Sequence, residues 1–256
     1  MAERVGFFTD TSVCIGCKAC EVACKEWNGV PDDGFVFSAD SYDNTGALGA
    51  STWRHVAFVE TFVPDGDGAG GWLMASDVCK HCTHAACLDV CPTGALFRTE
   101  FDTVVVQADV CNGCGYCIPA CPYGVLGRRE RDGRAWKCTM CYDRLRGGLE
   151  PACAKACPTD SIQFGVLDEL EERAAARVAE LHEAGRTEAR LYGDGPSEGV
   201  GGTGAFFLLM DEPEVYGFPP DPVATTRDLP SIWRWTAAAA LTVTAAAVAA
   251  FTGSRR

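Results

Sequence analysis

Cys111-Asn112-Gly113-Cys114-Gly115-Tyr116-Cys117-Ile118-Pro119-Ala120-Cys121-Pro122 is the stretch that decides the reading. Its spacing, C-x2-C-x2-C-x3-C followed by Pro, is the bacterial run that ligates [4Fe–4S] clusters. Three thiolates two residues apart let a tight turn wrap one cubane and bind three of its irons. Gly113 and Gly115 remove side chains where backbone approaches sulfide. The fourth cysteine is expected to start a helix pointing away and so reach the other cluster of a pair. Pro122 suits that helix start, since its fixed φ fits and its missing N–H is not needed there.

Outward from this run the chain repeats it three times. Cys14, Cys17, Cys20 and Cys24 have the same spacing. Cys79, Cys82, Cys87 and Cys91 expand one gap, and Cys138, Cys141, Cys153 and Cys157 expand it further. These four groups use all sixteen cysteines of the 256 residues. Zinc prefers two C-x2-C pairs around one ion, not three thiolates in seven residues. The second and fourth groups would pass as zinc sites alone; beside the others they read as loop-expanded ferredoxin motifs. Disulfide scaffolds belong to short secreted chains, and Met1-Ala2-Glu3-Arg4-Val5-Gly6 shows neither an apolar signal core nor a twin arginine. Four [4Fe–4S] clusters are therefore expected. Spacing leaves their pairing open: groups two and three with one and four, or one and two with three and four.

The rest of the chain frames these groups. With 22 Lys+Arg against 35 Asp+Glu, the net charge of −13 argues against a nucleic-acid partner. Lys18, Lys25, Lys80, Lys137 and Lys155 nevertheless lie in or beside the motifs. They read either as surface lysines or as cations that raise the potential of an anionic cluster. His81 and His84 read as hydrogen-bonding or surface residues, because four cysteines already complete their group. Within an insertion at 38–72, the alternation over Val56–Val63 predicts a half-buried strand, ended by a turn at Pro64–Gly68. Short strands are expected at Val104–Val106 and Ser161–Phe164. Leu167, Leu170, Ala174, Val178 and Leu181 recur at helical spacing up to Gly185. Gly199–Gly204 reads as a turn, Ala205–Met210 as a buried strand, and Pro213–Pro230 as a linker. Trp235–Phe251 carries no charge and, with Trp233 and Trp235 as interfacial aromatics, predicts one membrane span. Nine of its seventeen residues are alanine, so a soluble Ala-rich helix is the competing reading; Arg227 and Arg234 on one side and Arg255 and Arg256 on the other leave its orientation unset.

The fourth group carries a resemblance. Lys137-Cys138-Thr139-Met140-Cys141-Tyr142-Asp143-Arg144, Glu150-Pro151-Ala152-Cys153 and Ala156-Cys157-Pro158-Thr159 resemble the iron–sulfur (beta) subunit of membrane-bound formate dehydrogenases. Cys14–Cys20 with Glu26-Trp27-Asn28, the Glu198–Thr203 stretch and the late anchor are similar to the same family. The resemblance implies that groups one and four pair, and two and three. Cluster a would take Cys14, Cys17, Cys20 and Cys157, and cluster b Cys24, Cys138, Cys141 and Cys153. Cluster c would take Cys79, Cys82, Cys87 and Cys121, and cluster d Cys91, Cys111, Cys114 and Cys117. It also implies partners: a catalytic (alpha) subunit with a molybdenum or tungsten pterin, and a membrane cytochrome b (gamma) subunit that reduces quinone. A twin-arginine signal on the catalytic subunit would export both, placing the clusters on the extracytoplasmic face of the cell membrane beside a single-pass anchor.

The expected fold is α+β: two ferredoxin-like double-cluster modules and a C-terminal transmembrane helix. Its parts are a four-cluster region at 1–165, a helix, turn, strand and linker at 166–230, and the anchor at 231–256. No nucleophile, acid–base pair or substrate pocket is visible, so the chain reads as a non-catalytic electron-transfer subunit. The equivalent subunit of another molybdopterin oxidoreductase or a hydrogenase, and a zinc-stapled interaction protein, are the alternatives.

Overall fold

A computed structural model describes residues 3–34, 45–61, 71–196 and 199–253. In chain order the elements are β1 (Val5–Asp10), α1 (Ala19–Asn28), β2 (Arg54–Thr61), β3 (Gly71–Val78), α2 (Ala86–Asp89), β4 (Leu96–Arg98), β5 (Val104–Val106) and α3 (Cys117–Ala120). They continue as β6 (Gly127–Arg128), β7 (Ala135–Trp136), α4 (Tyr142–Arg146), α5 (Ala152–Lys155), β8 (Ile162–Val166), α6 (Leu167–Glu183), β9 (Arg190–Tyr192), β10 (Ala205–Leu209) and α7 (Leu229–Gly253). The class is α+β.

One four-stranded sheet, ordered β8-β1-β10-β9, anchors the molecule. The apolar run Ala205-Phe206-Phe207-Leu208-Leu209 forms its inner strand because both of its faces are covered. On one face Phe8 stacks on Phe206 at 5.3 Å beneath α6. On the other, Phe207 and Leu209 meet Tyr192, Tyr216 and Phe218. The expected helix runs Leu167–Glu183, burying Leu167, Leu170, Ala174 and Leu181, with Val178 partly buried. Gly185 follows its end at φ 83°, a left-handed stop. Burying each leucine contributes about 1.5–3 kcal/mol.

The remaining sheets are two-stranded: β2–β3, β4–β5 and β6–β7. The strand expected over Val56–Val63 is β2, paired along its whole length with β3. Phe62, Val63 and the turn at Pro64–Gly68 lie outside the described residues, as do Glu198, Arg255 and Arg256. The expected division at 165/166 falls inside β8, whose partner β1 also pairs with β10. One sheet thus draws on both segments. The stretch expected as a linker after Pro213 is packed instead: Pro213–Tyr216 forms a 3-10 turn, and Tyr216, Phe218 and Ala224 are buried. Aromatic side chains within it supply the apolar area that a tether lacks.

Helix α7 buries none of its residues. Its 25 residues span about 37 Å, more than the ~30 Å hydrocarbon core of a bilayer. The hydroxyls of Thr236, Thr244 and Thr252 donate to carbonyls four residues back, and Thr242 to one three back. Each of the four threonine hydroxyls is thus satisfied inside the helix, as lipid requires.

Candidate metal centres

In every group a helical turn separates the third cysteine from the fourth. Cys20 and Cys24 both lie in α1. Cys87 lies in α2 and Cys153 in α5, with Cys91 and Cys157 two residues beyond each helix. Cys117 opens α3, and Cys121 closes it in extended conformation. The expectation that the fourth cysteine starts the helix is therefore corrected. The third cysteine sits in the helix and the fourth follows one turn later, so Pro122 belongs to the turn beyond. Four residues of helix advance the backbone by about 6 Å, enough to hand the fourth sulfur to a neighbouring centre.

The loops before these helices are tightly wound. Lys18, His81, Met140 and Cys141 have positive φ, a conformation costing side-chain-bearing residues about 1–2 kcal/mol each. Gly113 has φ 74°, and a Cβ there would lie 2.4 Å from the Gly133 carbonyl oxygen. The glycine is required by that carbonyl and by the left-handed turn.

The structure brings the cysteines together across groups. One hollow is lined by Cys14, Cys17, Cys20 and Cys157. Another is lined by Cys79, Cys82, Cys87 and Cys121. The cysteines that most disfavour ionisation of Cys24 are Cys138, Cys153 and Cys141, and one amide, Asn28 Nδ2, reaches Cys24 Sγ at 3.8 Å and Cys141 Sγ at 3.6 Å. For Cys117 they are Cys111, Cys91 and Cys114.

This donor set fits iron–sulfur clusters and fits neither alternative. All sixteen cysteines are free. Among the described residues, no three Cys, His, Asp or Glu side chains converge closely enough for a single ion, whereas zinc needs its sulfurs at about 2.3 Å. Burial pushes the thiols of Cys20 and Cys117 up to about 11 and those of Cys87 and Cys138 up to about 12. Cys24 and Cys82 are pushed further up by the same burial and by neighbouring cysteines. Such thiols stay protonated by themselves, and bound metal is what stabilises their thiolates. Cys91 differs: its burial penalty is outweighed by N–H groups of Leu96, Thr93 and Ala95, which hold it below the usual thiol range.

The five motif lysines separate by environment. Lys18 pairs with Glu21, Lys25 with Asp33, and the exposed Lys155 with Glu150. Lys80 is buried under Phe207 and Phe218 but paired with Asp77. Lys137 is buried and hydrogen-bonds the carbonyls of Val104 and Cys138. His81 is buried too, and its Nδ1 accepts the Val104 N–H at 3.1 Å. Arg54, at the start of β2, is a residue sequence reasoning missed, since it is far from every cysteine along the sequence. Its Nη2 lies 3.4 Å from Cys153 Sγ. The Gly-rich turn does more than reverse direction: its carbonyls at Val200 and Gly202 accept N–H groups of His84 and Thr83, clamping the loop that follows Cys82. Gly201 is needed there, because a Cβ would lie 2.4 Å from the His84 ring. Trp27 Nε1 donates to Asp143 at 2.8 Å, and Arg144 stacks on the Trp27 ring, locking the first group to the fourth.

Comparison with known proteins points to the same cofactor class. Two models of a 4Fe-4S dicluster domain match, over residues 13–95 and 71–167. The chain is 41% identical over 254 residues to the nitrate-inducible formate dehydrogenase iron-sulfur subunit of Escherichia coli, covering 98% of this chain and 83% of the relative. To the formate dehydrogenase iron-sulfur subunit of Haemophilus influenzae it is 44% identical over 217 residues, 83% of this chain and 68% of the relative. A polypeptide of the anaerobic dimethyl sulfoxide reductase from Escherichia coli is 36% identical over 194 residues, 75% of this chain and 88% of the relative. By these likenesses the chain belongs to the formate dehydrogenase iron–sulfur subunits, electron-transfer subunits of molybdopterin oxidoreductase complexes, and carries four [4Fe–4S] clusters.

Proposed function

We propose that this chain is the non-catalytic conduit of a formate dehydrogenase complex, standing between a molybdenum- or tungsten-pterin catalytic subunit and a membrane cytochrome b. The sixteen cysteines would hold the clusters as quartets: Cys14, Cys17, Cys20 and Cys157 (a); Cys24, Cys138, Cys141 and Cys153 (b); Cys79, Cys82, Cys87 and Cys121 (c); Cys91, Cys111, Cys114 and Cys117 (d). When bound, each cluster accepts and releases one electron at a time. The observation that carries the reading is the order in which the quartets act on one another: Cys153 of b disfavours ionisation of Cys20 of a, Cys79 of c that of Cys138 of b, and Cys117 of d that of Cys87 of c. The two exposed cysteines, Cys17 and Cys114, belong to the first and last quartets. Those edges are where partners would approach.

Helix α7 supports an assignment of the two edges. The segment entering it packs Ala224 against Ala86 of α2, and Thr226 hydrogen-bonds Asp89 of the same helix. Since α2 carries Cys87 and precedes Cys91, the anchor leaves beside quartets c and d. The Cys114 edge then faces the membrane partner and the Cys17 edge the catalytic subunit. The likeness to the dimethyl sulfoxide reductase polypeptide favours a second reading, the equivalent subunit of another reductase. The formate dehydrogenase relative, however, covers 98% of this chain and so extends over α7. The extracytoplasmic placement rests on the family resemblance, and protease access in spheroplasts tests it.

The test is a native purification with metal analysis and EPR. About sixteen irons with equal labile sulfide, a pterin-bearing partner and reduction by formate support the proposal. Zinc in a colourless protein, or reduction by another substrate only, overturns it. Cys157→Ala should alter the signal of cluster a while those of c and d persist. A changed signal from c or d instead would refute the quartets.

A further inference from the structure

Two buried cations in this molecule lack a carboxylate. Arg54 and Lys137 are each 1% exposed, and among the described residues neither has an acidic partner. A buried charge is costly unless an opposite charge offsets it. Lys80, equally buried, shows the usual solution in its ion pair with Asp77. Arg54 and Lys137 face sulfur instead.

Their positions are specific. The Arg54 guanidinium lies over the Phe7 ring at 4.8 Å, with Nη1 donating to the Ser76 carbonyl at 3.0 Å and Nη2 lying 3.4 Å from Cys153 Sγ. Its Nε is buried and has no hydrogen-bond partner. The Ser76 hydroxyl lies 3.2 Å from Cys20 Sγ. The sulfurs acting on Arg54 are thus those of Cys153 and Cys138 from quartet b and Cys20 from quartet a. Lys137 lines the same hollow as Cys79, Cys82, Cys87 and Cys121 of quartet c and adjoins Cys138 of quartet b in the sequence, and the sulfurs of Cys79 and Cys87 act on it most strongly. One cation stands at the a–b junction and the other at the b–c junction. At the c–d junction, the main partners of Cys117 are other cysteines and its own backbone N–H, while Cys87 on the c side is still acted on by Lys137.

We infer that Arg54 and Lys137 are fixed countercharges that raise the reduction potentials of the clusters on either side of them, a and b for Arg54, b and c for Lys137. This inference rests on the quartets proposed above. Reduction adds one electron to a cluster that is already anionic and makes or breaks no bond. A nearby fixed cation favours the reduced form more than the oxidised one, and a dry surrounding weakens the screening. Cluster b, flanked by both, receives the largest share, and d the smallest.

The experiment is a potentiometric titration of the intact complex followed by low-temperature EPR, with signals assigned through single Cys→Ala variants of each quartet. Arg54→Gln should lower the midpoints of a and b, and Lys137→Gln those of b and c. The expected change is about tenfold in the one-electron reduction equilibrium, or ~59 mV. Arg54→Lys and Lys137→Arg should restore most of each shift. Unchanged midpoints in both Gln variants with four clusters present, or one uniform shift of all four, overturns the inference. If a Gln variant sheds iron, it should lose the two flanking signals and keep d; loss of d first also overturns it. Failure of the quartets shows separately, as an unexpected signal change in Cys157→Ala with both cations intact.

Discussion

The four-stranded sheet with α6 and the cysteine-bearing region between β3 and β8 are stabilised in different ways. The sheet owes its place to apolar area: Phe8, Phe206, Leu208 and Leu170 are essentially inaccessible to water. Between β3 and β8 the helices have four or five residues and the sheets two short strands. Helices so short do not persist alone, because nucleation fixes several residues for one hydrogen bond. The cysteine-bearing region, which adds a buried apolar cluster around Leu96, Val104 and Leu126, is therefore expected to depend more on its metal centres for cohesion than the sheet does. The difference teaches that one polypeptide can carry two kinds of core, and that perturbing each should leave a distinct signature.

Iron removal is the strongest way to break the comparison. Anaerobic chelation should abolish amide protection across residues 79–160 while β1, β10 and α6 keep part of theirs; uniform loss by hydrogen exchange would show a single core. Leu170→Ala should act oppositely. It should lower stability by about 2–5 kcal/mol in denaturant unfolding, with all four EPR signals and the iron content retained. Gly201→Ala probes the contact between the two regions. Its positive φ of 73° and the His84 ring predict a cost of about 1–2 kcal/mol, with faster exchange at the Thr83 and His84 amides. Truncation before Leu229 should have the smallest effect on stability. Since α7 buries nothing, the melting temperature should not move, but the protein should pass from the detergent phase to the aqueous phase.

Much of this is legible without any coordinates. The cysteine spacings carry the cofactor class, periodicity carries α6, and apolar runs carry β10 and the helix α7. Other features are not legible. Arg54 lies in a strand with no cysteine nearby in the sequence, and only the tertiary fold brings it to Cys153. The five lysines look alike in sequence; whether a carboxylate such as Asp77 or Glu21 stands beside one is a property of the fold. Spacing places the helix one cysteine too late, because C-x3-C fixes a distance along the backbone and not the residue at which helical geometry begins. The Pro-rich stretch reads as a linker from its prolines, while Tyr216 and Phe218 within it determine its packing.

Strand β1 has a consequence for the timing of synthesis. Its two neighbours are β8 and β10, and Phe7 pairs with Phe164 on one side and Ala205 on the other. Strand β1 must therefore await partners that emerge long after it. At about 5–20 residues per second, the interval before β10 leaves the ribosome is roughly 10–40 s. Throughout it Phe7 and Phe8 lack the cover they have in the finished sheet. The third cysteine group and its β4–β5 hairpin are local in sequence and can close first. A newborn copy of this protein can thus close its middle before β1 is sealed between β8 and β10.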